Sequence, residues 1–500
     1  MLKTSLVCVV LFTAACGKKA EEKKAPEPTE KIVEKQTKEP TAPVNAKRVE
    51  VTTKSPEAKA EYEKGHELAT NLRSEEAIEH YKKALELDPE FALAMAELGN
   101  VTPGGEGTDL LNKVTPLMSK LDEPQQKLIE AYQGLRAGDP KKAIAALDRV
   151  LELAPGQWEA DLMIANLSNG RLDDATAIKH LEHALSVNPN LPQAQNGLAY
   201  SYANQKNWDK AIAAAKKQVE LLPKEPNPAD TLGEVEMWAG KFEESEKDFL
   251  KATELSANFP PAWQGVMLAR AYKGDFKGAY EANAKREQST TPGVKNEAML
   301  DRAWLQFTEN KPEEAAKTLD AAEKDADAKK HPVYAFMAAD RAWMQMQQGK
   351  FADAAKSNEM MKSRLELLAG DARSGATTRY RVQVLRLAAL QGKPAADADK
   401  ILADAAEDGK RLGDDKVEAA TQAYMRGLAA WAKGGAKDGP KAAIAELSKC
   451  GEKMIICRYD LALATRKSGD AAGADAIEKQ LAATPIRALE GIYVKTHPTK

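Results

Sequence analysis

The sequence predicts an all-α fold, an array of helical hairpins stacked side by side. The first observation behind this is a fixed period: Ala143, Ala177, Ala211, Ser245 and Ala279 are each 34 residues apart. The second is punctuation in phase with it. Gly138, Gly240 and Gly274 fall five residues before the small residue, and Pro155, Pro189 and Pro223 fall twelve after it. That frames a turn, a helix and a stop. The third is composition: Ala, Leu, Lys and Glu abound, aromatic residues are 6% of the chain, and alternating runs of Val, Ile and Thr are nearly absent. Self-similarity at such a period marks a repeat architecture. Each unit packs only on its neighbours, so 500 residues need not divide into globular domains of ordinary size.

In chain order, Met1-Leu2-Lys3 gives a short positive start, and Leu6 to Ala15 is an uncharged apolar run too short to span a bilayer. Residues 1–15 are therefore expected to be a secretion signal. The run ends in Thr13-Ala14-Ala15-Cys16-Gly17, which resembles the lipobox of bacterial lipoproteins. The resemblance implies cleavage before Cys16 and lipidation of Cys16; ordinary cleavage after Ala15 is the alternative. Gly17 in place of Asp implies sorting to the outer membrane, with the folded part facing the periplasm. Residues 16–57 read as a disordered tether. Lys18 to Pro56 holds no aromatic residue, five prolines, ten Lys or Arg and seven Glu, too little apolar surface to offset the entropy of ordering.

Residues 58–288 form the regular array. Leu198, Ala199, Tyr202, Ala211 and Pro223 fill one repeat, and Leu232, Gly233, Gly240, Phe242, Ser245, Phe249 and Ala252 fill the next. Gly65, Leu68, Ala77, Tyr81, Ala84 and Pro89 make an earlier copy. Small residues allow two helices to cross closely, and the larger ones fill the space beside them. The pattern resembles the tetratricopeptide repeat, which implies a right-handed superhelix of helix–turn–helix units. Between Ala77 and Ala143 the gap is 66, and Pro103, Gly104, Gly105 and Gly107 interrupt the expected first helix, so residues 92–123 are expected to be degenerate and partly looped. Beyond Ala279 the spacing stretches to 36, 39, 43 and 46 through Ala315, Ala354, Asp397 and Ala443. Residues 289–484 are expected to be longer hairpins of the same general kind, with turns at Asn310-Lys311-Pro312, Gly349-Lys350-Phe351, Gly392-Lys393-Pro394 and Gly439-Pro440. The tail 485–500 either caps the array or holds a partner.

In the family, the first helix of each repeat lines a concave groove. Carrying its inward positions onto this chain selects Gln125, Tyr132, Arg136, Asn166, Asn169, Gln193, Asn196, Tyr200, Asn204, Asp230, Glu234, Trp238, Gln264 and Tyr272. Carboxamides offer both a donor and an acceptor to a peptide backbone, and Tyr and Trp are common binding anchors. Arg136 is the only cation in the set, so the family's clamp for a C-terminal carboxylate is not expected. Tyr62, Tyr81, Phe249 and Trp208 are expected in core or edge packing.

The chain carries a formal net charge of −3 and no basic stripe interleaved with aromatics, which argues against nucleic acid. No catalytic motif, cofactor site or metal site is expected. Gly434 to Gly439 is followed by Pro440 where a phosphate loop needs Lys. His66-Glu67-Leu68-Ala69-Thr70 lacks the second His of a zinc helix, and His180 and His183 have no evident third ligand. Cys450 and Cys457 are expected to pair as a disulfide in an oxidising envelope, with two free thiols as the alternative. The expected function is a lipid-anchored envelope scaffold that binds a protein or extended peptide and assists assembly of an envelope complex. The alternatives are a peptidoglycan or glycan binder and, third, an enzyme with an unrecognised site in 289–484. Oligomeric state is not legible.

Overall fold

The period of 34 is a backbone device before it is a packing one. Five residues ahead of Ala143, Ser245, Ala279 and Ala354 the chain turns through a left-handed position: Gly138 (φ 70°), Gly240 (φ 78°), Gly274 (φ 85°) and Gly349 (φ 72°). Only there does the absence of a Cβ matter to the turn. Where the repeat lacks glycine, Lys206 and Asn310 take the same conformation at φ 59°. A helix then starts, commonly with a side-chain cap. Asp139, Asp275 and Asp470 accept from the backbone N–H three residues on, at 3.0, 2.9 and 2.8 Å.

The structure is a computed structural model that describes residues 46–499 except 71–72, 169–172, 326–328, 330, 413–415, 452–453 and 487. Among the described residues it holds α-helices, short 3-10 turns and no strand. The chain divides into two compact units after Tyr202. The N-terminal unit contains α1 (Pro56–Thr70), α2 (Ser74–Leu87), α3 (Ala92–Val101), α4 (Gly104–Val114), α5 (Glu123–Arg136), α6 (Pro140–Leu153), α7 (Trp158–Ser168), α8 (Asp174–Val187) and most of α9 (Pro192–Asn204). The C-terminal unit contains α10 (Trp208–Leu221), α11 (Pro226–Trp238), α12 (Phe242–Leu255), α13 (Pro260–Tyr272), α14 (Phe276–Glu287), α15 (Val294–Thr308), α16 (Pro312–Lys324), α17 (Val333–Gln347) and α18 (Phe351–Arg364). It continues with α19 (Gly370–Gln391), α20 (Ala398–Leu412), α21 (Lys416–Leu447), α22 (Ile455–Lys467), α23 (Ala471–Ala482) and α24 (Leu489–Thr496).

Within each unit, most consecutive helices pair as hairpins that pack on the next, but α19 pairs with α21 rather than with α20. Ala77, Ala143, Ala177, Ala211, Ser245 and Ala279 are all fully buried at the crossings. Phe249 shows why small residues are needed. Its ring wedges between two helices, and a Cβ added at Gly233 or Gly265 would stand 2.9 or 2.4 Å from it. Tyr62, Tyr81 and Phe249 are buried, and Trp208 is half-buried.

Three expectations are corrected. Residues 92–123 are a helical hairpin, not a partly looped repeat: the glycines belong to α4, and a Cβ at Gly107 would meet the Thr102 carbonyl at 2.3 Å. Gly107, with Gly99 opposite it, lets α4 close on α3. The turn expected at Gly439-Pro440 lies earlier, at Gly435 (φ 71°), where the long run α21 breaks in two. Pro440 lies inside the run that follows the break. Residues 46–55 are not part of a disordered tether. They are an extended segment held against the N-terminal unit. This segment is held through its backbone, through the hydroxyls of Thr52 and Thr53, and through Val49, which is buried in the core. Residues 16–45, with Cys16, lie outside the described residues.

Candidate partner-binding face

In the N-terminal unit the edge where successive hairpins connect, together with the start of α5, already carries a segment of the chain itself, residues 47–53. Gln125, at the start of α5, is 1% exposed and does two jobs. Its Oε1 accepts from the Asp122 N–H and closes a capping box, while its Nε2 donates to the Glu50 carbonyl at 2.8 Å and to Thr52 Oγ1 at 2.9 Å. Gln157 Oε1 accepts from the Val49 N–H at 3.1 Å, and the Gly156 N–H donates to the Lys47 carbonyl at 2.8 Å. Gly156 has to be glycine, since a Cβ there would stand 2.3 Å from the Ala46 carbonyl. Asp88 accepts from Thr53 Oγ1 at 2.6 Å and from the Lys54 N–H at 3.2 Å. Two carboxamides thus grip backbone, as carboxamides in a peptide groove should.

Behind the segment lies a buried polar knot. Arg48 pairs with Glu159, and its guanidinium is 5.9 Å from the Trp158 ring centroid. Glu159 meets His66 Nε2 at 3.3 Å, and His66 Nδ1 lies 2.9 Å from Glu97. Glu97 also accepts from the hydroxyls of Tyr62, at 2.8 Å, and Tyr81. The Glu97 charge holds His66 protonated up to about 10, against the burial that favours the neutral ring. Burial drives the Glu97 carboxyl upward, but the His66 imidazolium and the two phenols outweigh it and hold it below its ordinary value. Burial and the Glu97 charge keep Tyr132 a phenol. The Glu97 lone pairs are occupied by these donors, so the knot braces α1, α2, α3, α5 and α7.

The other selected residues of this unit divide by role. Arg136 donates to the Gly99 and Thr102 carbonyls and so caps the end of α3 rather than facing a groove. Gln193 donates to the Thr70 carbonyl at 3.3 Å, at the end of α1. Asn166 is exposed. Asn196 and Tyr200 are half-buried and engaged in contacts. Asn169 lies outside the described residues. His180 and His183 do not face a metal position: both turn Nδ1 toward the one carboxylate of Asp161, at 2.8 and 2.7 Å. Among the described residues, no group of three or more His, Cys, Asp or Glu is arranged to hold a metal ion.

In the C-terminal unit, Tyr272 is occupied by the tail. Its hydroxyl donates to the Ile486 carbonyl at 3.0 Å and accepts from the Ile486 N–H at 2.9 Å. Its ring stacks on Phe242 with centroids 5.0 Å apart. The Lys495 ammonium lies over both rings, 5.4 Å from Phe242 and 5.7 Å from Tyr272. Helix α24 packs on α13, α15, α22 and α23. Tyr493 enters a box of Trp304, Phe307 and Trp343, with ring centroids 6.4, 5.2 and 5.0 Å away. Burial pushes the Tyr493 phenol up to about 12. Burial raises the Asp301 carboxyl, with Arg286 and then Gln264 opposing it. Asn204, Asp230, Glu234 and Trp238 are buried or half-buried, and each is engaged in a contact. Cys450 and Cys457 are joined as a disulfide with Cα atoms 6.3 Å apart, tying α21 to α22.

The structure adds residues that the inward-position rule missed. Gln157, Glu159 and Asp88 hold the N-terminal segment from loops and helix starts, outside the positions the rule samples. Trp304, Phe307 and Trp343 lie in the stretched repeats, where the period had been lost. Their signal was present as a local aromatic enrichment. Among the described residues, no helix is long and apolar enough to cross a membrane.

Comparison with known proteins places tetratricopeptide repeat matches at residues 58–91, 169–226 and 294–362. The last extends the recognisable repeat into α15–α18, beyond the regular array read from the period. No curated protein matches the chain. Among solved structures, a tetratricopeptide repeat protein from Parabacteroides merdae is 15% identical, over 48% of this chain and 97% of that one, with a TM-score of 0.32. PilW, described as a widely conserved type IV pilus biogenesis factor, is 17% identical over 47% and 93%, with a TM-score of 0.32. Pseudomonas aeruginosa pilF is 15% identical over 42% and 96%, with a TM-score of 0.33.

Proposed function

Taking the chain as a tetratricopeptide repeat protein, we propose that it is a non-catalytic scaffold that holds a protein or extended peptide on the inner faces of its hairpins, tethered to a bacterial envelope by lipid on Cys16. The observation that carries the binding half is residues 47–53 in the N-terminal unit. A surface that fixes one extended segment through Gln125 and Gln157 has the chemistry to fix another. Repeat arrays present such surfaces as their working part. The anchoring half rests on the sequence: a short apolar leader ending at Cys16-Gly17, followed by a charged, proline-containing leash. Assembly of an envelope complex at the outer membrane, facing the periplasm, is the role this combination serves best.

The test is crosslinked affinity capture from native envelopes, read by mass spectrometry. Wild type is compared with an Asn196→Ala, Tyr200→Ala, Trp238→Ala variant of unchanged helical content. A defined set of proteins lost in the variant supports the reading. Retention on isolated wall fragments with no protein partner overturns it in favour of glycan binding. Cys16→Ala should release the protein from the membrane fraction; retention there would sink the lipid anchor.

A further inference from the structure

Glu297 stands where three successive hairpins of the C-terminal unit meet. It lies in the first turn of α15. Arg286 of α14 is 2% exposed; one of its nitrogens pairs with Asp301 and another stands 3.6 Å from Glu297. Arg302 of α15 pairs with Glu287 of α14 at 2.8 Å. His331, just ahead of α17, places Nε2 4.0 Å from Glu297. Its ring lies against the turn that starts α15, where a Cβ on Gly293 would stand 2.3 Å from it. Around this centre, α13 sets Gln264 beside Asp301, and the charge of Asp301 is felt by Asp340 of α17. The Lys295–Asp325 pair joins the start of α15 to the end of α16 at 3.0 Å. Lys329, Tyr334 and Arg364 share a surface depression with His331.

Two arginines thus face three carboxylates, and the geometry selects the one left over. The close bonds go to Asp301 and Glu287. Glu297 has Arg286 at 3.6 Å and His331 at 4.0 Å, both beyond hydrogen-bond reach. A carboxylate buried in that way is costly, so it takes a proton instead. Burial pushes the Glu297 carboxyl up to about 7, with Arg286 opposing and Asp301 adding. His331 does not compete for that proton. Its Nδ1 accepts from the Val333 N–H at 3.3 Å, a bond that a second ring proton would break. Burial also lowers the imidazole from its ordinary 6.5. The polar bonding of the seam is incomplete. Asn283 donates to the Ala298 carbonyl at 2.7 Å, but its Oδ1, the Asn296 Oδ1 and the Arg286 Nε are buried without a partner.

We propose that Glu297 is a proton-operated latch within the C-terminal unit. Protonated, it lets α14, α15 and the turn into α17 close around Arg286. Ionised, it draws Arg286 away from Asp301 and loosens the junction. In a stacked array each junction sets how the next hairpin is presented, so the latch makes this unit respond to pH. It is independent of the peptide-holding reading above.

The test is hydrogen–deuterium exchange of the full chain, corrected for the intrinsic pH dependence of exchange. A carboxyl at 4.5 in the open seam and at about 7 in the closed one favours opening more as pH rises. The gain between about pH 6 and about pH 8.5 is roughly tenfold. Amides of α14 and of the first half of α15 should therefore exchange about tenfold faster at the higher pH, with α22 of the same unit unchanged. Glu297→Gln, uncharged throughout, should remove the difference. Should that variant fail to fold, the wild-type His331 ring, identified by comparison with His331→Gln, reports instead. Its carbon chemical shifts should step at about 7 while the ring stays neutral. Equal exchange at the two pH values, or a difference that survives Glu297→Gln, would overturn the proposal. So would a His331 ring that itself becomes charged at about 7, since the proton would then sit on the imidazole.

Discussion

The hydroxyl of Tyr272 forms two hydrogen bonds to one residue 214 positions away, donating to the Ile486 carbonyl and accepting from the Ile486 N–H. A side chain that the repeat pattern places in a groove thus pairs a backbone as a neighbouring strand would. The groove position is used, and the user is the chain itself.

Tyr272→Phe keeps the stack on Phe242 and removes both bonds. Two buried backbone groups lose their partner, so tail docking should weaken by about 1–3 kcal/mol. Hydrogen exchange across 485–496 should accelerate while the amides of α13 stay protected. Unchanged exchange in the tail would mean the bonds contribute nothing.

Gln125→Ala removes one half of a capping box and the clamp on Glu50 and Thr52 together. The expected cost is about 1–2 kcal/mol. Lys47 and Arg48 should become readily cleaved by trypsin under native conditions, with little change in helical circular dichroism.

Glu97→Gln breaks the knot around His66. Removing one partner of a buried pair costs about 3–5 kcal/mol. The pH signature follows from His66, whose ordinary value of 6.5 is raised to about 10 by Glu97, with Glu159 adding to it. The stabilisation is therefore complete below pH 6.5 and lost as pH rises through about 10. Thermal melts of wild type should fall across that window, and those of Glu97→Gln should be flatter there.

Glu236 is a second handle, in the C-terminal unit. Burial first, and then the charge of Asp248, push its carboxyl from 4.5 to about 8, with Lys216 opposing and Glu244 adding. A carboxyl raised on folding contributes stability below pH 4.5 that disappears as pH rises through about 8. Glu236→Gln should melt higher than wild type above that value and lose the decline. Parallel pH profiles for the two proteins would show that Glu236 is not the group responsible.

Much of the scaffold was legible because it is local. A left-handed residue five positions before a buried small one, a capping Asp or Asn, and a terminating proline are decided by neighbours within one hairpin. Lys206 and Asn310 show the rule surviving loss of glycine. Legibility failed where conformation depends on distant partners. Residues 46–55 have the composition of a leash, yet Gln125, Gln157 and Asp88 offer their backbone what water would. The tail left two readings open in the sequence, and the aromatic box around Tyr493 decides that it packs inward. The sequence by itself determined the helical repeat, its turns and its small-residue crossings, because these follow from backbone sterics and close packing. Only the tertiary structure decided that Gln125 is occupied by residues 50–52 and Tyr272 by Ile486, because that pairing depends on contacts between segments far apart in sequence, which no local period encodes.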